Sequence, residues 1–250
     1  MNARFYVPEA AGGGQVVVLS EEEAQHLTKV LRLKAGAPIR VFDGRGHEFE
    51  AVVDRVGKNE VLVAVGRQEL PSAPEPRVSM TLVQSILKGE KMDDIVRDAV
   101  MMGVSAIQPV VATRSEVKLA TLARANKQER WQKIAVASAK QSGRATVPEI
   151  LEPCEFARIP PTLASIEMPG PALMFVEPSV HIIALTLHEL DAVAPSQAMM
   201  IIGPEGGWTP DEIDESSMAC QFVTLGGRTL RADAMPIVAM SALFALWREF

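Results

Sequence analysis

Three stretches carry residue types whose spacing can do chemistry. The first is Ile201 to Ile213, Ile-Ile-Gly-Pro-Glu-Gly-Gly-Trp-Thr-Pro-Asp-Glu-Ile, where an apolar strand meets a helix through a glycine-rich loop. Gly203, Gly206 and Gly207 permit backbone angles and close approaches that a Cβ would block, so the loop can bring N–H groups to a ligand. Thr209 as N-cap, Pro210 in the first turn and Glu212 at the reciprocal capping position specify the helix start. The second stretch, Gln221 to Arg231, reads Gln-Phe-Val-Thr-Leu-Gly-Gly-Arg-Thr-Leu-Arg and also runs from a strand through a glycine turn towards a helix. Two such loops near one end of a chain point to one shared pocket. Arg228 and Arg231 flank the turn, and a guanidinium beside open backbone suits a phosphate or a carboxylate. Asp233 follows, with a competing structural job as the cap of the last helix. In the third stretch, Lys88 to Met92 form a strand-to-helix junction, while Gln141, Ser142, Gly143 and Arg144 end a long basic helix. These groups suit either RNA contact or helix termination.

Several chemistries are disfavoured. The loop at Gly203 lacks both Gly-x-Gly-x-x-Gly and the Gly-Lys-Ser/Thr of a nucleotide triphosphate loop, which argues against a phosphate cradle. In parallel α/β sheets ligands bind beyond the carboxyl ends of strands, so a strand-end glycine loop still marks a candidate site. His26, His47, His181 and His188 have no metal-ligand spacing, and Cys154 and Cys220 have no Cys-x-x-Cys partner, so neither a metal site nor a disulfide framework is expected. The net charge of −6 argues at first against a nucleic-acid partner. It conceals an asymmetry: residues 77–144 carry 12 basic and 6 acidic side chains, residues 145–250 only 4 and 14. Affinity for a phosphate backbone depends on the patch that faces it, although scattered, solvated helix faces account for such charges equally well.

The elements that must position these residues fall into two patterns. With 48% apolar and 22% charged residues the chain reads as an ordinary folded protein. Over residues 1–70, short strands at Val16–Leu19, Pro38–Phe42, His47–Val56 and Glu60–Val65, with a helix capped by Ser20 and running to Leu31, predict a compact β-barrel. Residues 71–76, with three prolines within Leu70 to Pro76, have linker composition. From residue 77 to 250, strands at Val78–Ile86, Ala106–Val111, Ala172–Val176, Ala198–Ile202 and Gln221–Leu225 alternate with helices ending at Gly103, spanning Lys127–Gln141 and spanning Asp233–Trp247. That alternation predicts a parallel sheet covered by helices. Ile237, Met240, Leu243, Phe244 and Trp247 give the last helix an apolar face suited to a subunit contact or to the core. No basic, apolar leader and no stretch long enough to span a bilayer are visible, so a cytoplasmic location is expected.

Seven motifs, in order along nearly the whole chain, give it a family likeness. They are Arg4-Phe5-Tyr6-Val7; His26-Leu27 with Val30-Leu31-Arg32; Lys88-Gly89-Glu90-Lys91-Met92; Arg130-Trp131-Gln132-Lys133-Ile134; Gln141-Ser142-Gly143-Arg144; Gly203-Pro204-Glu205-Gly206-Gly207; and Leu225-Gly226-Gly227-Arg228 with Leu230-Arg231. With these the chain resembles the ribosomal RNA small-subunit methyltransferase E family, which methylates N3 of a uridine in 16S rRNA. The resemblance implies a PUA-like RNA-binding β-barrel followed by a SPOUT methyltransferase domain whose C-terminal part forms a trefoil knot. It also implies a homodimer that binds S-adenosyl-L-methionine and 16S rRNA within the small ribosomal subunit. The cofactor would be held through Glu177, Gly203, Glu205, Gly206, Leu225, Gly226 and Leu230, with Arg231, Arg228 and Asp233 as catalytic candidates. Arg4, His26, Arg32, Lys88, Lys91, Gln141 and Arg144 would hold RNA.

The chain departs from the family pattern in places. Where the family has Arg-x-Leu-Arg-x-Glu-Thr-Ala, this chain has Asp233, Ala234 and Met235 at the last three positions. Val100-Met101-Met102-Gly103-Val104 replaces Thr-Glu-Leu-Gly-Val, and Ala137 and Lys140 stand at positions usually acidic. Two other functions remain open on the sequence: a methyltransferase of the same fold acting on transfer RNA or 23S rRNA, and an RNA-binding assembly factor without catalysis.

Overall fold

The computed structural model describes residues 3–58, 60–165, 169–180 and 182–250. His181 lies outside them. Contacts divide the chain into residues 1–75 with 136–147, and residues 76–135 with 148–250.

In the first unit five strands form one sheet: β1 (Arg4–Tyr6), β2 (Val16–Val18), β3 (Pro38–Phe42), β4 (Glu48–Val56) and β5 (Val61–Glu69). Their order is β1-β3-β4-β5-β2, with β1 parallel to β3 and the other pairs antiparallel. Period-two alternation turns Val61, Val63 and Val65 onto a core with Phe5, Leu27 and Val41. Register shifts at Phe49/Ala51 and Val53/Arg55 bend the long β4–β5 pair. The Glu23 N–H donates to Ser20 Oγ at 3.3 Å, as the sequence predicts, opening α1 (Glu21–Gln25). The helical segment continues through Val30 and ends at Leu31, as the sequence predicts, but from His26 it is wound as a π-helix.

Glu48, fully buried, is the polar centre of this unit. It accepts from Arg4 Nε at 3.1 Å and Nη2 at 3.0 Å, from the Ser72 N–H at 3.0 Å and from Arg40 Nη1 at 3.3 Å. Burial pushes its carboxyl up, but the bonds from Arg4 and Ser72 outweigh burial and hold it below the usual value. Arg4 also donates to the carbonyls of Lys140 at 2.7 Å and Arg144 at 3.0 Å, serving acceptors at the C-terminal end of the helix Lys127–Ser142. Arg144 is 3% exposed and donates from Nε to Glu75 Oε2 at 3.0 Å. Both arginines were expected to hold RNA. The structure corrects that expectation, since burial and local carboxylates commit them to the interior of this unit.

The second unit is built on β6 (Ser79–Ser85), α2 (Lys91–Met102), β7 (Ala106–Val111), α3 (Leu119–Arg124), α4 (Lys127–Ser142, whose last turns are counted with the first unit), β8 (Glu149–Ile150), β9 (Cys154–Glu155), α5 (Ile159–Ser165), β10 (Ala172–Phe175), β11 (Leu185–Thr186), β12 (Gln197–Ile202), α6 (Pro210–Ser216), β13 (Gln221–Thr224) and α7 (Met235–Leu246). The sheet is parallel in the order β11-β13-β10-β12-β6-β7-β8, with β9 also pairing β7. Gly103 closes α2 in the left-handed conformation, at φ 109°. Met240, Leu243 and Phe244 of α7 and Trp247 at its C-cap are at most 3% exposed, and the helix packs on α2 and β12. Those side chains are core within the chain, whereas Ile237 is only half-buried and Val238 is exposed.

α7 begins later than the sequence predicts. Ala234 occupies the N-cap without a side-chain bond, and Asp233 turns instead to Arg231. Among the described residues, no helix is long and apolar enough to cross a membrane.

Candidate active site

β10, β12 and β13 end side by side, and the loops leaving them, at Glu177, Gly203 and Leu225, enclose a cavity of about 310 Å³. A parallel sheet places all three strand ends on one edge, so residues far apart in sequence converge there. Of the expected cofactor residues, Glu177, Gly203, Glu205, Leu225 and Leu230 line the cavity, as do Arg228, Arg231 and Asp233. Gly206 and Gly226 are in the same loops but not on its wall.

The glycine loop is shaped by what it packs against. A Cβ on Gly203 would sit 2.9 Å from the Trp208 ring, and Trp208 is itself fixed by donating from Nε1 to the Phe175 carbonyl at 3.0 Å. Its ring also packs against Phe156, with centroids 4.5 Å apart and the planes tilted by 37°. Gly207 adopts φ +66°, and a Cβ there would meet Glu177 Oε1 at 2.9 Å. Downstream, Thr209 and Glu212 form the capping box that the sequence predicts, with both reciprocal bonds present.

The second loop is open backbone. Among the described residues, the N–H groups of Gly226 through Leu230 make no hydrogen bond within the protein. Donors left free beside a cavity are available to a ligand.

Four of the charged side chains at the cavity form two ion pairs. Arg231 donates from Nε to Asp233 Oδ1 at 3.0 Å and from Nη2 to Oδ2 at 2.8 Å. The guanidinium bonds hold the Asp233 carboxyl below its usual value, and the carboxylate raises Arg231. Lys91 Nζ donates to Glu205 Oε1 at 2.8 Å, and the Lys88 N–H reaches the same oxygen at 3.3 Å. Burial raises Glu205, but these bonds together bring it below the ordinary value. Arg228, exposed at the cavity, has no ion-pair partner among the described residues.

Residues 74–244 match the model of an RNA methyltransferase domain, and residues 19–66 that of an RNA methyltransferase PUA domain. A Synechocystis protein named ribosomal RNA small subunit methyltransferase E is 31% identical over 234 residues, covering 92% of this chain and 73% of its own length. The chain belongs to this methyltransferase family. The Bacillus subtilis member is 27% identical over 234 residues, covering 90% of this chain and 88% of that one. The crystal structure of the Neisseria gonorrhoeae member bound to S-adenosyl methionine superposes with a TM-score of 0.87 at 31% identity, over 99% of this chain and 98% of that one. A PUA-like unit followed by a parallel α/β methyltransferase domain is thus the architecture of this family member.

Lys91, expected to contact RNA, lines the cavity as well as lying in the basic junction. Lys88 is exposed and pairs with Glu116 at 2.8 Å. In the first unit, His26 is half-buried, edge-on to Phe5, while Arg32, in the left-handed region at φ 54°, and Gln141 are exposed. Sequence reasoning passed over Trp208 and Met235, both on the cavity wall. Trp208 had a signal, as an aromatic side chain wedged between two glycines and a helix cap.

Proposed function

We propose that this protein transfers the methyl group of S-adenosylmethionine to N3 of a uridine in 16S rRNA of the small ribosomal subunit. The observation that carries the reading is the cavity where the two glycine loops meet, with two arginines on its wall. Its residues suit the cofactor. Unpaired N–H groups at Gly226 to Leu230 can bind an adenine edge or a carboxylate, Ile202, Leu225 and Leu230 offer apolar contact, and Glu177 suits positive charge, Glu205 being already paired with Lys91. Bound S-adenosylmethionine would supply an activated methyl group, leaving the protein chiefly to align the nucleophile and exclude water.

Uracil N3 carries a proton at neutral pH, so negative charge must develop on the base. Arg231 and Arg228 are placed to stabilise that charge on the uracil carbonyls or to position a neighbouring phosphate. N3 lies on the Watson–Crick edge, which requires an unpaired or flipped base. His26, Arg32, Lys88, Lys91 and Gln141 are the proposed contacts to surrounding RNA. The domain division at residues 71–76, a knotted C-terminal part, a homodimer and a cytoplasmic location belong to the same reading. The order β13-β10-β12, in which the chain leaves β12 and returns beyond β10, supports the knot.

Incubation with small subunits lacking the modification and with labelled cofactor tests the whole. Label on one uridine N3 of 16S rRNA is expected. Label appearing only in transfer RNA or 23S rRNA would overturn the substrate, and absence of both label and cofactor binding would favour a non-catalytic assembly factor.

A further inference from the structure

The loop after β7 does more than connect β7 to α3. Arg114, exposed in that loop, donates from Nη1 to the Gly206 carbonyl at 2.9 Å and to the Trp208 carbonyl at 3.1 Å. Its stem lies against the glycine loop as well, since a Cβ on Gly206 would come within 2.9 Å of Arg114 Cβ. The neighbouring Thr113 N–H donates to Glu212 Oε1 at 2.8 Å, tying the same loop to the helix cap beyond Trp208.

Two peptide planes are consequently held from both sides. The Gly206–Gly207 peptide has its carbonyl on Arg114 and its N–H on the Pro204 carbonyl at 3.0 Å. The Trp208–Thr209 peptide has its carbonyl on Arg114 and its N–H on Glu212 Oε2 at 2.8 Å. Fixing both planes sets the backbone between them, including the positive φ of Gly207 and the direction in which Trp208 leaves the chain. A single terminal nitrogen, Nη1, serves both carbonyls, its two hydrogens held in the plane of the guanidinium.

We propose that Arg114 is a positioning residue for the cofactor: it holds the Gly203–Trp208 wall in its binding shape without touching the ligand. This rests on the reading of the cavity as the S-adenosylmethionine site. Because the bond to Gly206 is exposed and that to Trp208 only part-buried, water can replace the lost donors when Arg114 is removed, so the fold survives while the loop gains freedom.

Calorimetry with S-adenosylmethionine on the full chain, with steady-state kinetics and thermal unfolding, tests the proposal in the wild type, Arg114→Ala, Arg114→Lys and an Arg124→Ala control. Arg114→Ala should weaken cofactor binding about tenfold or more. It should raise KM for the cofactor and leave KM for RNA unchanged, with little shift in Tm. Arg114→Lys, which keeps the stem and some donors, should recover part of the loss and gives a folded variant if the alanine substitution unfolds. Cofactor affinity unchanged in both variants would overturn the proposal, as would a raised KM for RNA alone, which would make Arg114 an RNA contact. A wild type that fails to bind S-adenosylmethionine would instead overturn the reading of the cavity.

Discussion

Arg231 and Asp233 hold one another in a two-pronged ion pair on the wall of the cavity, with N–O distances of 3.0 and 2.8 Å. The pairing orients the guanidinium, yet both groups keep contact with solvent, Arg231 being exposed. Arg231→Ala should lower methyl transfer by about 10²–10³-fold, the usual cost of losing one donor to developing negative charge. Cofactor affinity should change little. Single-turnover kinetics paired with calorimetry checks the split, and normal turnover by the variant would remove Arg231 from the mechanism.

Asp233 is the weaker catalytic candidate for a reason visible in its partner. A carboxylate held below its ordinary pKa by a guanidinium is a poor proton acceptor. Asp233→Asn retains the shape and one acceptor, so its rate should fall by less than about tenfold. A loss matching that of Arg231→Ala, recovered as pH rises, would restore Asp233 as the general base.

What the sequence made legible followed local rules. The capping box at Thr209 and Glu212, the left-handed stop at Gly103 and the alternation of strands with helices each need only neighbouring residues to be read. The meeting of the loops at Gly203 and Leu225 was legible because strand ends in a parallel sheet share an edge, whereas Glu177 entered only through the family resemblance. Misreadings arose where a long-range partner decides. Nothing near Arg4 in sequence announces Glu48, 44 residues away, and Arg144 finds Glu75 at a separation of 69. Asp233 is a local exception: it has cap spacing before Pro236, but Arg231, two residues earlier, takes its oxygens. Arg114 went unnoticed because its acceptors are main-chain carbonyls, which carry no residue-type signature.

The Glu48 centre predicts acid sensitivity. Its pKa in the folded chain lies below the ordinary 4.5, so its stabilising contribution is present above that value and is lost as pH falls through the folded pKa. Arg4→Ala should destabilise the first unit by about 3 kcal/mol, towards the lower end for a broken buried pair, since Arg40 and Ser72 still serve Glu48. Unfolding by urea at several pH values below 5 checks both points. A Glu48→Gln variant should show a flatter pH profile than the wild type, and an identical profile would assign the acid sensitivity to other carboxylates.

Gly203→Ala probes the cavity wall with a single methyl group. The added Cβ would lie 2.9 Å from Trp208 Cε2 and 3.1 Å from Nε1, closer than packed carbon atoms tolerate. Trp208 cannot retreat cheaply, because its Nε1 donates to the Phe175 carbonyl and its ring packs on Phe156. Either the indole breaks that bond or the loop moves away from it, at a cost of about 1–3 kcal/mol for overpacking. Both outcomes displace lining residues, so cofactor affinity should fall by about tenfold or more at that cost. Stability should fall along with it, in contrast to Arg114→Ala, where affinity is lost and the fold is kept. Calorimetry and thermal unfolding on the two variants side by side separate these causes, and a Gly203→Ala protein that binds cofactor as the wild type does would show that the wall yields without affecting the site.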